Sequence, residues 1–223
     1  MSEPEWQSAT VLHVEPSAKH MITLRVQPAQ PKPHIAGQHY ELRVHGDDES
    51  RKYSVMSSPS APTMLEFGIR PYAAGAVSPR LQSLRPGDQL DIRGPFGTSF
   101  LWQPDMIGPL VLLGGGSGVT PLVSMHRHFR ELYPNGTVVF VVSAQSPDHV
   151  LPHIQHSQDA VLRFTDTQGV IDRPYLQQTI GAHVAHPNVR CFVCGPIGFI
   201  DSMVDYLLEL GFPPNRVVSE KFR

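Results

Sequence analysis

Three stretches of the chain hold residues whose types and spacing can do chemistry. The first is LVLLGGGSGVTPLVSM, where an apolar run meets Gly114, Gly115, Gly116, Ser117 and Gly118 ahead of Pro121. Glycines let backbone approach a diphosphate without a Cβ in the way, and a following helix N-terminus offers free N–H groups and a positive dipole end. Pro121 suits the opening turn of that helix, because its missing N–H would be unpaired there anyway. A tight turn with no ligand is the plainer account, but so permissive a backbone costs stability that a ligand site explains. The second stretch, CFVCGPIGF, contains Cys191 and Cys194, the only cysteines. C-x-x-C spacing can mark a redox dithiol or half a metal site. Here VRCFVC reads as a buried strand, whose three-residue step spans about 10 Å, beyond the roughly 7 Å that a disulfide bridges between Cα atoms. The odd separation points the two thiols to opposite faces, and there is no second cysteine pair to complete a zinc site. Cys191 is expected in the core. Cys194 is expected at the strand's carboxyl end beside Gly195 and Pro196, where open α/β sheets bind ligands. The third stretch, RKYSVMSSPS, puts Arg51 and Tyr53 on one strand face and Lys52 and Ser54 on the other. Further on, GIRPYAAGAVSPRL sets Gly75, Val77 and Ser78 at a helix start, a second possible phosphate seat.

Two kinds of element must position these residues. From Ser8 to about Arg93 the chain runs through short apolar or alternating segments: SATVLHVE, MITLRVQ, HYELRVH, RKYSVMS, MLEFGIR and DQLDIRG. Pro, Gly, Asp and Ser punctuate them, as expected of an antiparallel barrel or sandwich. One helix-like piece, VSPRLQSL, interrupts the series. From Pro109 the texture changes to near-continuous apolar runs, PLVLLG, TVVFVVS, AVLRFTD and VRCFVCG, separated by helical spacings such as PLVSMHRHFREL and FIDSMVDYLLEL. Buried strands alternating with helices predict a parallel α/β sheet. FLWQPDMIG, Phe100 to Gly108, is the expected linker between a domain over 1–101 and one over 102–223.

The second strand of the α/β half ends at Ser143, Ala144 and Gln145, where an adenosine ribose would lie. No acidic residue ends that strand, and no Lys or Arg lies between Arg130 and Arg163. A 2′-phosphate would thus lack a local cation unless Arg163 folded back, so NADH is favoured over NADPH.

The 223 residues carry a formal net charge of −2, with 40% hydrophobic and 17% charged residues. That balance gives no support for a nucleic-acid partner. No apolar run nears the roughly 20 residues of a spanning helix, and the acidic, polar start MSEPEWQSAT is not a targeting peptide. With two cysteines and no disulfide framework, a soluble cytoplasmic protein is expected.

Taken together, RKYS, GAVS, GPFG at Gly94–Gly97, GGGSGVTP, CGP at Cys194–Pro196 and the closing EKF resemble the ferredoxin–NADP reductase family, especially its NADH-using oxygenase reductases. The resemblance implies a flavin-binding antiparallel barrel followed by a Rossmann-like NAD-binding domain. It implies that Arg51 pairs with the flavin diphosphate through its planar fork, with Lys52 alongside. Tyr53 would lie on the isoalloxazine ring, and Ser54 would bond near its N5. Ile69, Arg70 and Pro71 would run along the ring and phosphate chain, and Gly75, Val77 and Ser78 would seat the diphosphate. Gly115, Gly116, Ser117 and Gly118 would hold the NADH diphosphate. Thr120 and Cys194 would flank the nicotinamide, with Gly195 and Pro196 shaping its pocket. Glu220 would sit near the reacting atoms with Ser54 and Cys194, and Phe222 would shield the flavin. The implied cofactors are FAD, ahead of FMN, and NADH, ahead of NADPH. The chemistry is hydride transfer from nicotinamide to flavin, in which the protein aligns two rings.

The chain ends at Arg223 without spare cysteines for an iron–sulfur cluster. The expected acceptor is therefore a separate protein or small molecule, and the expected state a monomer. Two alternatives stand beside this reading: a free-flavin reductase that uses flavin as a dissociable substrate, and a non-enzymatic flavin- or nucleotide-binding subunit of an electron-transfer complex. Among the twelve histidines, His149, His153 and His156 fall at helical spacing, but Pro152 interrupts them. A solvated face, rather than a metal site, is expected there, and HRH at His126–His128 is a weaker metal candidate still.

Overall fold

The computed structural model describes residues 4–222, so the first three residues of the acidic N-terminal stretch and residue 223 lie outside it. The first half folds into six antiparallel strands: β1 (Gln7–Ala18), β2 (Met21–Pro28), β3 (His39–Val44), β4 (Arg51–Ser54), β5 (Leu65–Ile69) and β6 (Gln89–Phe96). Their order is β4-β3-β6-β1-β2-β5. The two edge strands meet through a Val55–Phe67 bridge and a Met56 N–H donated to the Glu66 carbonyl, which closes the sheet into a barrel. Closure leaves no free edge, the usual liability of an open sheet. Alternate residues point inward. Leu24 and Val26, Tyr40 and Leu42, Leu65, Phe67 and Ile69, and Leu90 and Ile92 form one buried core. Helix α1 (Ser78–Ser83) lids it with Leu81.

The second half is a five-stranded parallel sheet of β7 (Leu110–Gly115), β8 (Val138–Ala144), β9 (Ala160–Phe164), β10 (Arg190–Gly195) and β11 (Val217–Lys221), in the order β11-β10-β7-β8-β9. Helices α2 (Val119–Leu132), α3 (Pro152–Gln155), α4 (Thr165–Gln168), α5 (Arg173–Ile180) and α6 (Ile197–Glu209) connect the strands. The strands are buried on both faces, so their apolar runs are continuous and the period of two sorts them. Val111, Leu113, Cys191 and Val193 pack with α5 and α6, while Leu110, Leu112, Phe192 and Cys194 pack with α2. The strand order reverses between β7 and β10, and a crevice opens outside the carboxyl ends at such a point.

Two expectations change in detail. Helix α2 starts at Val119, before Pro121, and a 3₁₀ turn over Gly116–Gly118 precedes it. Pro121 stays within the first turn, where its missing N–H still costs nothing. The segment Phe100–Gly108, expected as a linker, is built into the molecule. Phe100 and Trp102 are buried, Trp102 bridges to Ala36, and the Phe100 ring meets Phe192 edge-on at 5.5 Å. The two halves thus share an apolar core that also takes Met21 and Met56 from the barrel. Among the described residues no helix is long and apolar enough to cross a membrane.

Candidate functional site

Parallel pairing brings the chemical motifs of the second half side by side. Cys194 pairs in register with Gly114 on one side and with Glu220 on the other, so the glycine loop, the CGP turn and the EKF strand end together. The Phe222 N–H donates to the Gly195 carbonyl at 3.0 Å and ties the chain end to the CGP turn. At Gly118 a Cβ would lie 2.5 Å from the backbone of Cys194 and Gly195, so only glycine allows the loop and the turn to touch. Gly115 is similarly pressed, with the Phe199 ring 3.0 Å from where its Cβ would be.

Two cavities open on this junction. One, of about 510 Å³, is lined by His39, Lys52 and Ser54 from the barrel and by Glu220, Lys221 and Phe222 from β11 and the residue beyond it. Strand β3 places His39 opposite Ser54 in the ladder. The His39 Nε2 is buried without a hydrogen-bond partner among the described residues. Burial pushes the Glu220 carboxyl up in pKa, against the pull of Lys52. Burial foremost, then Lys52, pushes His39 down, so the imidazole is neutral.

The other cavity, of about 320 Å³, is the crevice at the strand-order reversal. Gly115, Gly116 and Ser117 form one wall, with Pro196 and Phe199 beside them, and Ser143, Ala144 and Gln145 close the far end. Arg70 enters from the barrel, its guanidinium 5.5 Å from the Tyr72 ring. Lys19, His20 and Met21, at the turn between β1 and β2, complete the wall.

Of the residues singled out in the sequence, Lys52, Ser54, Glu220 and Phe222 share the first cavity, and Arg70, Gly115, Gly116, Ser117 and Pro196 share the second. The other residues singled out line neither cavity. Tyr53 lies half-buried against the barrel core, and its hydroxyl is pushed up to about 12 by burial, so it remains a neutral donor. Arg51 is exposed, 3.3 Å from the Glu49 carboxylate. Ile69 and Val77 are buried in the barrel core, so only their backbones can face a ligand. Pro71 follows Arg70 at the end of β5, half-buried. The Gly75 N–H donates to the Tyr72 carbonyl, and the Ser78 hydroxyl accepts the Tyr72 N–H at 3.1 Å. This folds the GAVS turn on itself and leaves the Ser78 hydroxyl proton free to donate. Thr120 is buried, its hydroxyl donating to the Ser117 carbonyl at 3.1 Å. Gly195 is buried behind Phe199.

Both cysteines are free and fully buried, on opposite faces of β10. Burial pushes both thiols up, with Glu220 adding to the effect at Cys194, so neither is a ready thiolate at neutral pH.

Sequence reasoning missed His39, Lys221, Lys19, His20, His149, Thr165 and Phe199 as wall residues. Gly-Gln-His carries no chemical signal by itself, and the Lys19–His20 turn reaches the crevice only through the docking of the two halves. Arg163 does not fold back. Its Nε donates to the Gly169 carbonyl and its guanidinium stacks 4.7 Å from the Tyr175 ring. Of the three histidines expected on a solvated face, His156 is exposed, whereas His149 and His153 are half-buried. His126 is buried between His153 (3.0 Å) and the Asp159 carboxylate (2.7 Å), which also holds Arg130.

Comparison with known proteins agrees with this geometry. Residues 16–100 match the family model of the oxidoreductase FAD-binding domain. The chain is 27% identical over 235 residues to the reductase component of propane 2-monooxygenase from Rhodococcus jostii strain RHA1, covering 95% of this chain and 62% of that protein. It is 30% identical over 230 residues to the corresponding component from Gordonia sp. strain TY-5, covering 95% and 66%. The chain thus spans a little under two thirds of the length of these relatives. Among solved structures, the Amycolatopsis cytochrome P450 reductase GcoB superposes with a TM-score of 0.82 at 24% identity, over 100% of this chain and 71% of that one. Phthalate dioxygenase reductase superposes with a TM-score of 0.81 at 17% identity, over 97% and 68%. These two share the fold. A closed barrel whose residues 16–100 match the FAD-binding model is thus docked on a parallel sheet with its glycine loop at the strand-order reversal, the two-domain fold of these reductases.

Proposed function

We propose that the protein is an NADH-dependent flavoprotein reductase that holds FAD against the barrel, binds NADH in the crevice and passes electrons to a separate acceptor. One observation carries this reading: Ser54 and His39 of the barrel meet Glu220 and Phe222 of the second half around a single cavity, next to the glycine-lined crevice. Bound flavin supplies the redox chemistry, taking a hydride and releasing electrons. The chain supplies position. Arg51 is free to exchange Glu49 for a diphosphate, a bidentate partner that suits its fork better than an exposed carboxylate. Tyr53 offers a flat, half-buried ring, and Ser54 a buried hydroxyl beside it. Phe222, tied to Gly195, lines the cavity beside Ser54 and Glu220, which supports a shielding role over a flavin held there. Arg70 carries positive charge into the crevice beside Gly115–Ser117, which supports a role against the nucleotide diphosphate rather than along the flavin.

FAD is favoured over FMN by the matched family model, and NADH over NADPH by the engagement of Arg163 with Gly169 and Tyr175. The division into domains over 1–101 and 102–223 is supported by the two separate sheets. Two free buried thiols suit the cytoplasm. The relatives' names, reductase components of monooxygenases, support an oxygenase partner as acceptor. The test is steady-state reduction of ferricyanide by the desalted protein. NADH-driven turnover without added flavin, faster than with NADPH, is expected. Turnover that requires added free flavin would contradict the reading.

A further inference from the structure

The Lys and Arg side chains on the crevice wall, Lys19 and Arg70, both come from the barrel. Lys19 shares a tight turn with His20, whose φ of 61° is left-handed, an uncommon conformation for a non-glycine residue. The turn reaches across to the segment after β8. The Lys19 N–H donates to the Asp148 carbonyl at 2.7 Å, and its Nζ lies 3.5 Å from the Asp148 carboxylate. That carboxylate also accepts the Ser146 hydroxyl and lies 3.1 Å from the His149 Nδ1. The His20 and His149 rings stand 6.0 Å apart. Ser143–Gln145, at the carboxyl end of β8, form the neighbouring wall, where the adenosine ribose of a dinucleotide lies in such sheets. Lys19 is on the wall; Asp148 is not, and its side chain is 56% exposed.

We propose that Lys19 and Asp148 form a charge-balanced latch at the ribose end of the crevice, which sets the choice between NADH and NADPH. This rests on the nucleotide reading above. A ribose 2′-hydroxyl is uncharged and indifferent to the latch. A 2′-phosphate brings up to about two negative charges. It is repelled by Asp148 and meets a Lys19 already paired. Removing the carboxylate frees the Lys19 charge for the phosphate. Because the pair is exposed, solvent and salt limit the effect.

The test is calorimetric binding of 2′,5′-ADP and of 5′-AMP at low ionic strength, reported as the ratio of the two affinities. In Asp148→Asn the ratio is expected to move toward 2′,5′-ADP by roughly fivefold, the size of one exposed charge contact where the paired latch offered none. Asp148→Glu should keep the wild-type ratio, and adding Lys19→Ala to Asp148→Asn should remove the gain. A ratio that moves less than about twofold in Asp148→Asn, or a gain that survives Lys19→Ala, would overturn the proposal alone, since 5′-AMP binding would still support the crevice as a nucleotide site. Wild-type protein that binds neither probe would overturn the proposal together with the nucleotide reading.

Discussion

Tyr53 packs its ring against the barrel core while Arg51, on the same strand, reaches into solvent toward Glu49. The difference follows from chemistry. Under the proposed function a stacking ring is held rigid, whereas a guanidinium is recruited when an anion arrives. Tyr53→Ala is therefore expected to weaken flavin binding by about 1–3 kcal/mol, the usual cost of losing an aromatic stacking partner. Tyr53→Phe should retain the flavin. The ratio of flavin absorbance to protein absorbance after desalting checks both, and a full complement of flavin in the alanine variant would refute the assignment. The pairing of Arg51 with Tyr53 was legible from the period of two in a four-residue strand. His39 was not, since a lone histidine facing Ser54 across a ladder has no mark in the sequence until the register is known. The separation of Cys191 and Cys194 was legible for the same reason as Tyr53: an odd spacing in a strand points two side chains apart.

At the scale of elements, the glycine loop and α2 are fixed against their neighbours by close approach. A Cβ at Gly118 would meet the Cys194–Gly195 backbone, and one at Gly68 of β5 would lie 2.5 Å from the Thr120 side chain. Backbone cannot yield as a side chain tip can, so Gly118→Ala should destabilise the protein by about 1–3 kcal/mol, as overpacking does. Nucleotide affinity should fall as well. Urea denaturation with 5′-AMP titration measures both, and an undisturbed alanine variant would show that the loop and turn do not touch. The short helix α3 makes a different contribution. Burial, then Arg127 and His126, pushes His153 down to about 4 from its ordinary 6.5. The unfolded chain then binds the proton more readily, so this stability is fully present above about pH 6.5 and lost as pH falls toward 4. His153→Gln should flatten that limb of the stability profile; an unchanged slope would contradict the burial. The sequence showed the helical spacing of His149, His153 and His156 but not His126 of α2, 3.0 Å from His153, because that contact depends on how α2 and α3 dock.

Across the whole molecule, the barrel and the parallel sheet are locked by a buried carboxylate. Glu66 of β5 lies 2.8 Å from Arg25 of the barrel and 2.7 Å from Arg127 of α2. Burial alone would push it up, but Arg127 and Arg25 together hold its pKa below the ordinary carboxylate value. Its contribution is present above about pH 4.5 and is lost as pH falls through the lowered value. Glu66→Gln should cost about 3 kcal/mol, the low end for breaking a buried ion pair, since Arg25 keeps some solvent. It should also weaken nucleotide binding, because the crevice draws Lys19 and Arg70 from the barrel. Thermal unfolding with nucleotide titration checks this, and loss of neither property would mean the halves are held by the apolar core alone. The two architectures were legible in the change from alternating to continuous apolar runs near Pro109. Their mutual docking was not: Phe100 and Trp102 read as linker until they are seen buried between the sheets. Under the proposed function one chain holds a flavin and brings a nicotinamide to it across this junction. Anaerobic titration of the desalted protein with NADH, followed at the flavin absorbance band, tests it most directly. Bleaching complete at about one equivalent of NADH per bound flavin is the predicted result. A colourless protein, or a bound flavin that stays oxidised with excess NADH, would rule out hydride transfer at this junction.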